Sequence, residues 1–135
     1  MKTKNVILIE NSLIDAILIK ESLQQDKQYY NVYLAEDGFE AVVHFENMNL
    51  NRAEDIPDLI IANEELIMIN GVNILSKINN LDNFFIPVII LSSTGPTEYP
   101  HFHKNTCCLI NKPLDVKEFL KIIKEIKYCW LNLIN

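Results

Sequence analysis

Pro57-Asp58-Leu59-Ile60-Ile61-Ala62-Asn63 is an unbroken apolar run that ends abruptly on a side-chain amide. Successive aliphatic residues, without the alternation of a half-solvated strand, read as a strand buried on both faces in a parallel sheet covered by helices. Two similar runs flank it, Val6-Ile7-Leu8-Ile9 and Pro87-Val88-Ile89-Ile90-Leu91, and a shorter one, Leu109-Ile110, follows. The polar residues at the ends of these runs are Glu10 and Asn11, Asn63, Ser92 and Lys112. In open α/β sheets the working site lies outside the carboxyl ends of the strands. These residues are therefore candidates for a single cleft.

Helical patterns fill the intervals. Ser12 reads as an N-cap with Asp15 as its capping-box partner, ahead of Ala16, Ile19 and Leu23 at helical spacing. Tyr30 to Leu34 reads as a second strand. Asp37-Gly38 turns the chain into a helix with Val42, Phe45 and Met48 on one face. Leu50 to Ile56 is polar and reads as loop. Gly71 is expected to open a helix carrying Ile74, Ile78 and Leu81, and Pro113 to introduce a long one with Val116, Phe119, Leu120, Ile123, Ile126 and Trp130 in a stripe. Between the fourth and fifth strands, Ser93 to Thr106 holds Gly95, Pro96 and Pro100, which do not suit a regular helix. The pattern predicts a three-layer α/β/α flavodoxin-like sandwich around a five-stranded parallel sheet of order 2-1-3-4-5, with the fourth helix degenerate or replaced by loop. It is expected to be one domain over residues 1–135.

The composition narrows the function. A net charge of -6 with no basic run argues against a nucleic-acid surface. The longest apolar runs are too short to span a bilayer, and Glu10 stops the first too early for a signal-peptide core. A cytoplasmic location is the expectation, without membrane or nucleic-acid partners. Cys107, Cys108 and Cys129 make no even disulfide framework and read as reduced thiols. His101 and His103 fit no closed zinc pattern and read as part of a solvated loop.

Several motifs taken together resemble a response-regulator receiver domain of two-component signalling, of the chemotaxis type and most similar to the small phytochrome-associated single-domain receivers. Ile7 to Ser12 resembles the first-strand motif, where the family has two acidic residues in succession. Ala35-Glu36-Asp37-Gly38-Phe39-Glu40-Ala41 resembles the turn into the second helix. Pro57 to Asn63 resembles the phosphoacceptor strand, Ile86 to Ser92 the strand ending in the hydroxyl switch, and Asn111-Lys112-Pro113-Leu114-Asp115 the lysine and cis-proline motif. Tyr128-Cys129-Trp130-Leu131 resembles the aromatic end of the phytochrome-associated subfamily.

The resemblance implies an aspartate that takes a phosphoryl group, a magnesium ion held by acidic residues and a backbone carbonyl, and a lysine and hydroxyl that contact the phosphate. This chain keeps only part of that set. Glu10 matches the first acidic position, Ser92 the hydroxyl switch, Lys112 the lysine and Pro113 the cis-proline. Asn11 replaces the second acidic residue and Asn63 the phosphoacceptor. Leu109 stands at the aromatic switch position, and Glu65 supplies the position whose carbonyl would reach magnesium. A carboxamide is a poor nucleophile, because its nitrogen lone pair is delocalised into the carbonyl. With Glu10 and Lys112 cancelling, the cleft is expected to be electrically balanced and magnesium binding weak or absent.

The sequence thus predicts a pseudo-receiver with no catalytic residue or cofactor. It would act by contact with a signalling protein (a histidine kinase or another regulator) or with a second copy of itself. Lys112 is expected to reach Glu10 or the Asn63 amide oxygen. The alternatives are an active phosphorelay receiver using another carboxylate, Asp58, Glu64 or Glu65, and a small-ligand module on the same fold. The latter is disfavoured because Glu10 to Leu13 has no glycine to cradle a phosphate.

Overall fold

The computed structural model describes residues 3–24, 30–48, 56–69, 72–73, 86–93 and 106–132. Five parallel strands form the main sheet: β1 (Lys4–Ile9), β2 (Tyr30–Ala35), β3 (Leu59–Asn63), β6 (Val88–Ser92) and β7 (Thr106–Asn111). Their order, β2-β1-β3-β6-β7, is the expected 2-1-3-4-5 once a small side hairpin is set apart. That hairpin pairs β4 (Met68–Ile69) with β5 (Val72–Asn73) antiparallel. Among the described residues the α-helices are α1 (Leu13–Leu23), α2 (Gly38–Glu46) and α3 (Val116–Ile126), and α3 runs on into a π-helical stretch, Lys127–Asn132.

The period-2 geometry of the strands divides their apolar side chains between two faces. Val6, Leu8, Leu59, Ile61, Ile89 and Leu91 pack against Ala16, Ile19 and Leu23 of α1 and Phe119, Ile123 and Ile126 of α3. Ile7, Ile9, Ile60, Ala62, Val88 and Ile90 pack against Ala41 and Phe45 of α2. This is a three-layer sandwich. Burying one Leu or Ile side chain contributes roughly 1.5–3 kcal/mol, so these two clusters, and not helix propensity, hold the layers together.

The helix starts are set by side-chain caps. Asp37 accepts from the Glu40 amide at 2.7 Å and Asp115 from the Lys117 amide at 3.0 Å. Ser12 accepts from the Asp15 amide at 3.3 Å, but the capping box is not completed. The Ser12 amide donates to Glu10, and the Asp15 carboxylate turns to Lys112. An ion pair with Lys112 has taken the acid away from its local role.

Two other expectations are corrected. Val72–Asn73 is strand, so no helix opens directly after Gly71; the apolar positions assigned to that helix, Ile74, Ile78 and Leu81, lie outside the described residues. Val116 is 51% exposed and outside the buried stripe, which consists of Phe119, Ile123 and Ile126. β7 is longer than its Leu109-Ile110 signal. Val88 faces Thr106 while Ile89 faces Cys108, so Cys107 is an extra residue that breaks the period. Residues 94–105, expected to lack a fourth helix, and His101 and His103 with them, lie outside the described residues, as does most of the loop expected over 50–56.

Candidate functional site

The carboxyl ends of β1, β3, β6 and β7 bring the polar residues together, as their common strand-end position predicts. Glu10, whose side chain is fully buried, stands at the centre. Its Oε1 accepts from the backbone amides of Asn11 at 3.1 Å and Ser12 at 3.2 Å, and from Asn63 Nδ2 at 2.9 Å. Its Oε2 faces Lys112 Nζ at 2.6 Å. The same ammonium lies 2.9 Å from Asp15 Oδ2. Of the two contacts expected of Lys112, the structure has the one with Glu10. The Asn63 amide oxygen instead accepts from the Glu65 amide at 3.0 Å, capping the 3₁₀ turn Glu64–Leu66.

Asn63 is thus held by both ends of its amide, with the nitrogen directed at Glu10. Asn11 is exposed and contributes a backbone N–H. Ser92 is buried, donates its hydroxyl to Glu64 Oε1 at 3.2 Å and accepts at its backbone oxygen from the Lys112 amide at 2.7 Å. Leu109 is half-buried and packs against the α2-side core, with no polar tip at the aromatic position. Pro113, next to Lys112, is half-buried, and Glu65 is exposed.

Asp15 and Glu64 are the residues that sequence reasoning missed here. Asp15 reads in sequence as a capping partner, and Glu64 only as one of three alternative carboxylates. The signal available for Asp15 was its place in the first turn of α1, directly after the acidic strand end. Nothing local in the sequence marks Glu64, because its burial depends on β6 lying alongside. Their presence overturns the expected charge balance. Two carboxylates share the single Lys112 ammonium, and a third carboxylate lies on Ser92.

Burial alone would lower the Lys112 pKa, but its hydrogen bonds to Glu10 and Asp15 and their charges outweigh this and raise it above the ordinary 10.5. A raised folded-state value makes the contribution to stability complete below the unfolded value of 10.5, and it is lost as pH rises through the folded value. Tyr33, raised by burial and by Glu40, adds to the same alkaline loss. Urea titrations from pH 8 to 12 should therefore give a declining alkaline limb that is shallower in Lys112→Met. An equally steep limb in the variant would remove the lysine from this account.

No family model matches the chain. Response regulator Rcp1 of Synechocystis sp. is 23% identical over 135 residues, covering 98% of this chain and 92% of that protein. The crystal structure of the phosphorylated cyanobacterial phytochrome response regulator RcpA is 27% identical, covers 98% of this chain and 97% of that one, and superposes with a TM-score of 0.81. In sequence and in fold the chain is similar to response-regulator receiver domains over nearly its full length. The Mn(2+)-bound form of Rcp1 shares the receiver fold at a TM-score of 0.79 and 22% identity, covering 98% of this chain and 97% of that one. The receiver belongs to two-component signalling, and its β2-β1-β3-β6-β7 sheet is the flavodoxin-like arrangement of these relatives. Among the described residues no helix is long and apolar enough to cross a membrane.

Proposed function

We propose that this receiver has left the phosphoryl cycle and acts in two-component signalling as a pseudo-receiver, by protein–protein contact. The observation that carries the reading is the 2.9 Å hydrogen bond from Asn63 Nδ2 to Glu10 Oε1. It puts an amide N–H, a donor and no nucleophile, between the acceptor position and the acidic strand end.

A divalent ion fits this donor set poorly. RcpA is described as phosphorylated and Rcp1 as Mn(2+)-bound, so the group is relevant to the relatives. Here both oxygens of Glu10 are already engaged by four donors, one of them an ammonium. Asn63 presents its N–H side inward and its oxygen to the Glu65 amide. A cation would have to displace Lys112 and rotate the Asn63 amide. The obstacle is occupancy of the lone pairs and not a neutral cleft. Among the described residues no three His, Cys, Asp or Glu side chains are grouped to hold a metal ion. The other carboxylates are also committed. Asp58 Oδ2 accepts from the Asn5 amide at the far end of β3, and Glu64 lies on Ser92.

The domain, taken over residues 1–135, is on this reading a non-enzymatic cytoplasmic module. Its contact surface is the face formed by β6, β7 and α3; Leu114 and Val116 at the start of α3 and Tyr128 beyond its end are exposed. The partner is a histidine kinase, another regulator or a second copy. Incubation with a labelled small phosphodonor and magnesium should leave the intact mass unchanged. A stoichiometric gain of one phosphoryl group, mapped to any carboxylate of the chain, would overturn the proposal.

A further inference from the structure

The polar contacts at the strand ends form a closed circuit. Asn63 donates to Glu10, Glu10 faces Lys112, the Lys112 amide donates to the Ser92 carbonyl, and the Ser92 hydroxyl donates to Glu64, the residue after Asn63. Ser92 is 1% exposed and Glu64 8% exposed. A carboxylate is an unusual residue to bury beside a strand end, since an ionised group almost never leaves water without partners. The 3₁₀ turn that Asn63 caps carries Glu64 over the end of β6, so the amide at position 63 also positions the acid at 64.

We infer that Glu64 is a built-in anion for the Ser92 hydroxyl, a latch that fastens the end of β6 to the end of β3 with no added group. It rests on the reading that Asn63 takes no phosphoryl group, since the latch replaces a transient anion by a permanent one. A hydroxyl has one proton to donate, and while Glu64 accepts it the Ser92 side chain keeps one orientation. Its backbone oxygen is at the same time tied to the Lys112 amide, so the orientation is passed to β7. At 3.2 Å the contact is long for a hydroxyl on a carboxylate, so the latch is set by enclosure as much as by bond strength. The device holds the strand end in one arrangement, so the β7 and α3 surface is presented without a signal at this site.

Native-state amide exchange without phosphodonor or metal tests it. The amide of Lys112, bonded to Ser92, is compared with the amide of Ile60, bonded to Pro87 at the opposite end of the sheet. In Glu64→Ala and in Ser92→Ala the Lys112-to-Ile60 exchange ratio should rise about fivefold, the effect of losing roughly one net hydrogen bond. The double variant should rise no further, and Glu64→Gln, which keeps an acceptor, should restore most of the protection. An unchanged ratio in Glu64→Ala, or an additive rise in the double variant, would overturn the latch. The two readings separate cleanly. A wild-type chain that gains a phosphoryl group sinks the pseudo-receiver whatever the exchange data, whereas additive exchange with no phosphorylation sinks the latch alone. Should Ser92→Ala fail to fold, Ser92→Thr, which keeps the hydroxyl, must match wild type while Glu64→Ala does not.

Discussion

Lys112→Met should destabilise this protein by about 3–5 kcal/mol, a large fraction of the roughly 5–15 kcal/mol typical of a domain. The size follows from what is left behind. Glu10 is fully enclosed, and among the described residues Lys112 supplies its only cationic contact, at 2.6 Å. Removing the ammonium leaves a buried carboxylate facing three amide donors but no cation. The penalty is that of an uncompensated charge, not the small net value of an ion pair. Removing both charges is correspondingly milder. Lys112→Met combined with Glu10→Gln should recover about half of the loss or more, because no ion is then held out of water. Asp15 gives the internal contrast. Its side chain keeps 27% exposure, so Asp15→Asn should cost about 1 kcal/mol or less. Guanidinium unfolding of the four proteins checks this. A loss in Lys112→Met no larger than in Asp15→Asn would mean that Glu10 is not the buried charge described above.

The same contacts explain what was legible in the sequence. The sheet was readable because β1, β3 and β6 are buried on both faces, and such strands leave unbroken aliphatic runs. Alternating strands and helices supplied the sandwich, and right-handed crossovers its flavodoxin-like order. The juxtaposition of Glu10, Asn63, Ser92 and Lys112 was readable because each ends a strand of one parallel sheet. What stayed hidden was longer-range. Asp15 has a legitimate local use as a capping partner, and only the distance to Lys112 reveals the competing one. The burial of Glu64 is produced by a short 3₁₀ turn that no periodicity announces. The bulge at Cys107 shortened the apparent fifth strand by resetting its alternation. The expected charge balance is upset for the same reason: motif positions supply Glu10 and Lys112, whereas packing also brings Asp15 and Glu64 to the cleft.

Asn63→Asp should make the stability of this fold depend on magnesium. Without divalent ions, the new carboxylate replaces a donor that now lies 2.9 Å from Glu10 Oε1. An attractive bond to a charged group, worth about 1.5–3 kcal/mol, becomes a repulsion between like charges, about 4 kcal/mol at 4 Å in an effective dielectric of 20. Side-chain rotation relieves part of that, so the expected loss in EDTA is about 3–4 kcal/mol. Magnesium reverses the sign of the encounter, since two carboxylates facing each other at a strand end are what a hard cation needs. Saturating it at about a hundred times its dissociation constant would return about 2.7 kcal/mol. The wild-type chain, with its lone pairs already taken, should show the same unfolding midpoint in EDTA and in magnesium. Adding Asn11→Asp places a third carboxylate at the rim and should lower the magnesium concentration needed. It should also restore phosphorylation by a small donor, if the pocket keeps the shape that the amides now hold. Urea midpoints of the three proteins across a magnesium series decide the matter. A wild-type midpoint that climbs with magnesium would show that the ion competes successfully with Lys112 and the Asn63 amide. In that case the asparagine has removed a nucleophile without closing the cleft.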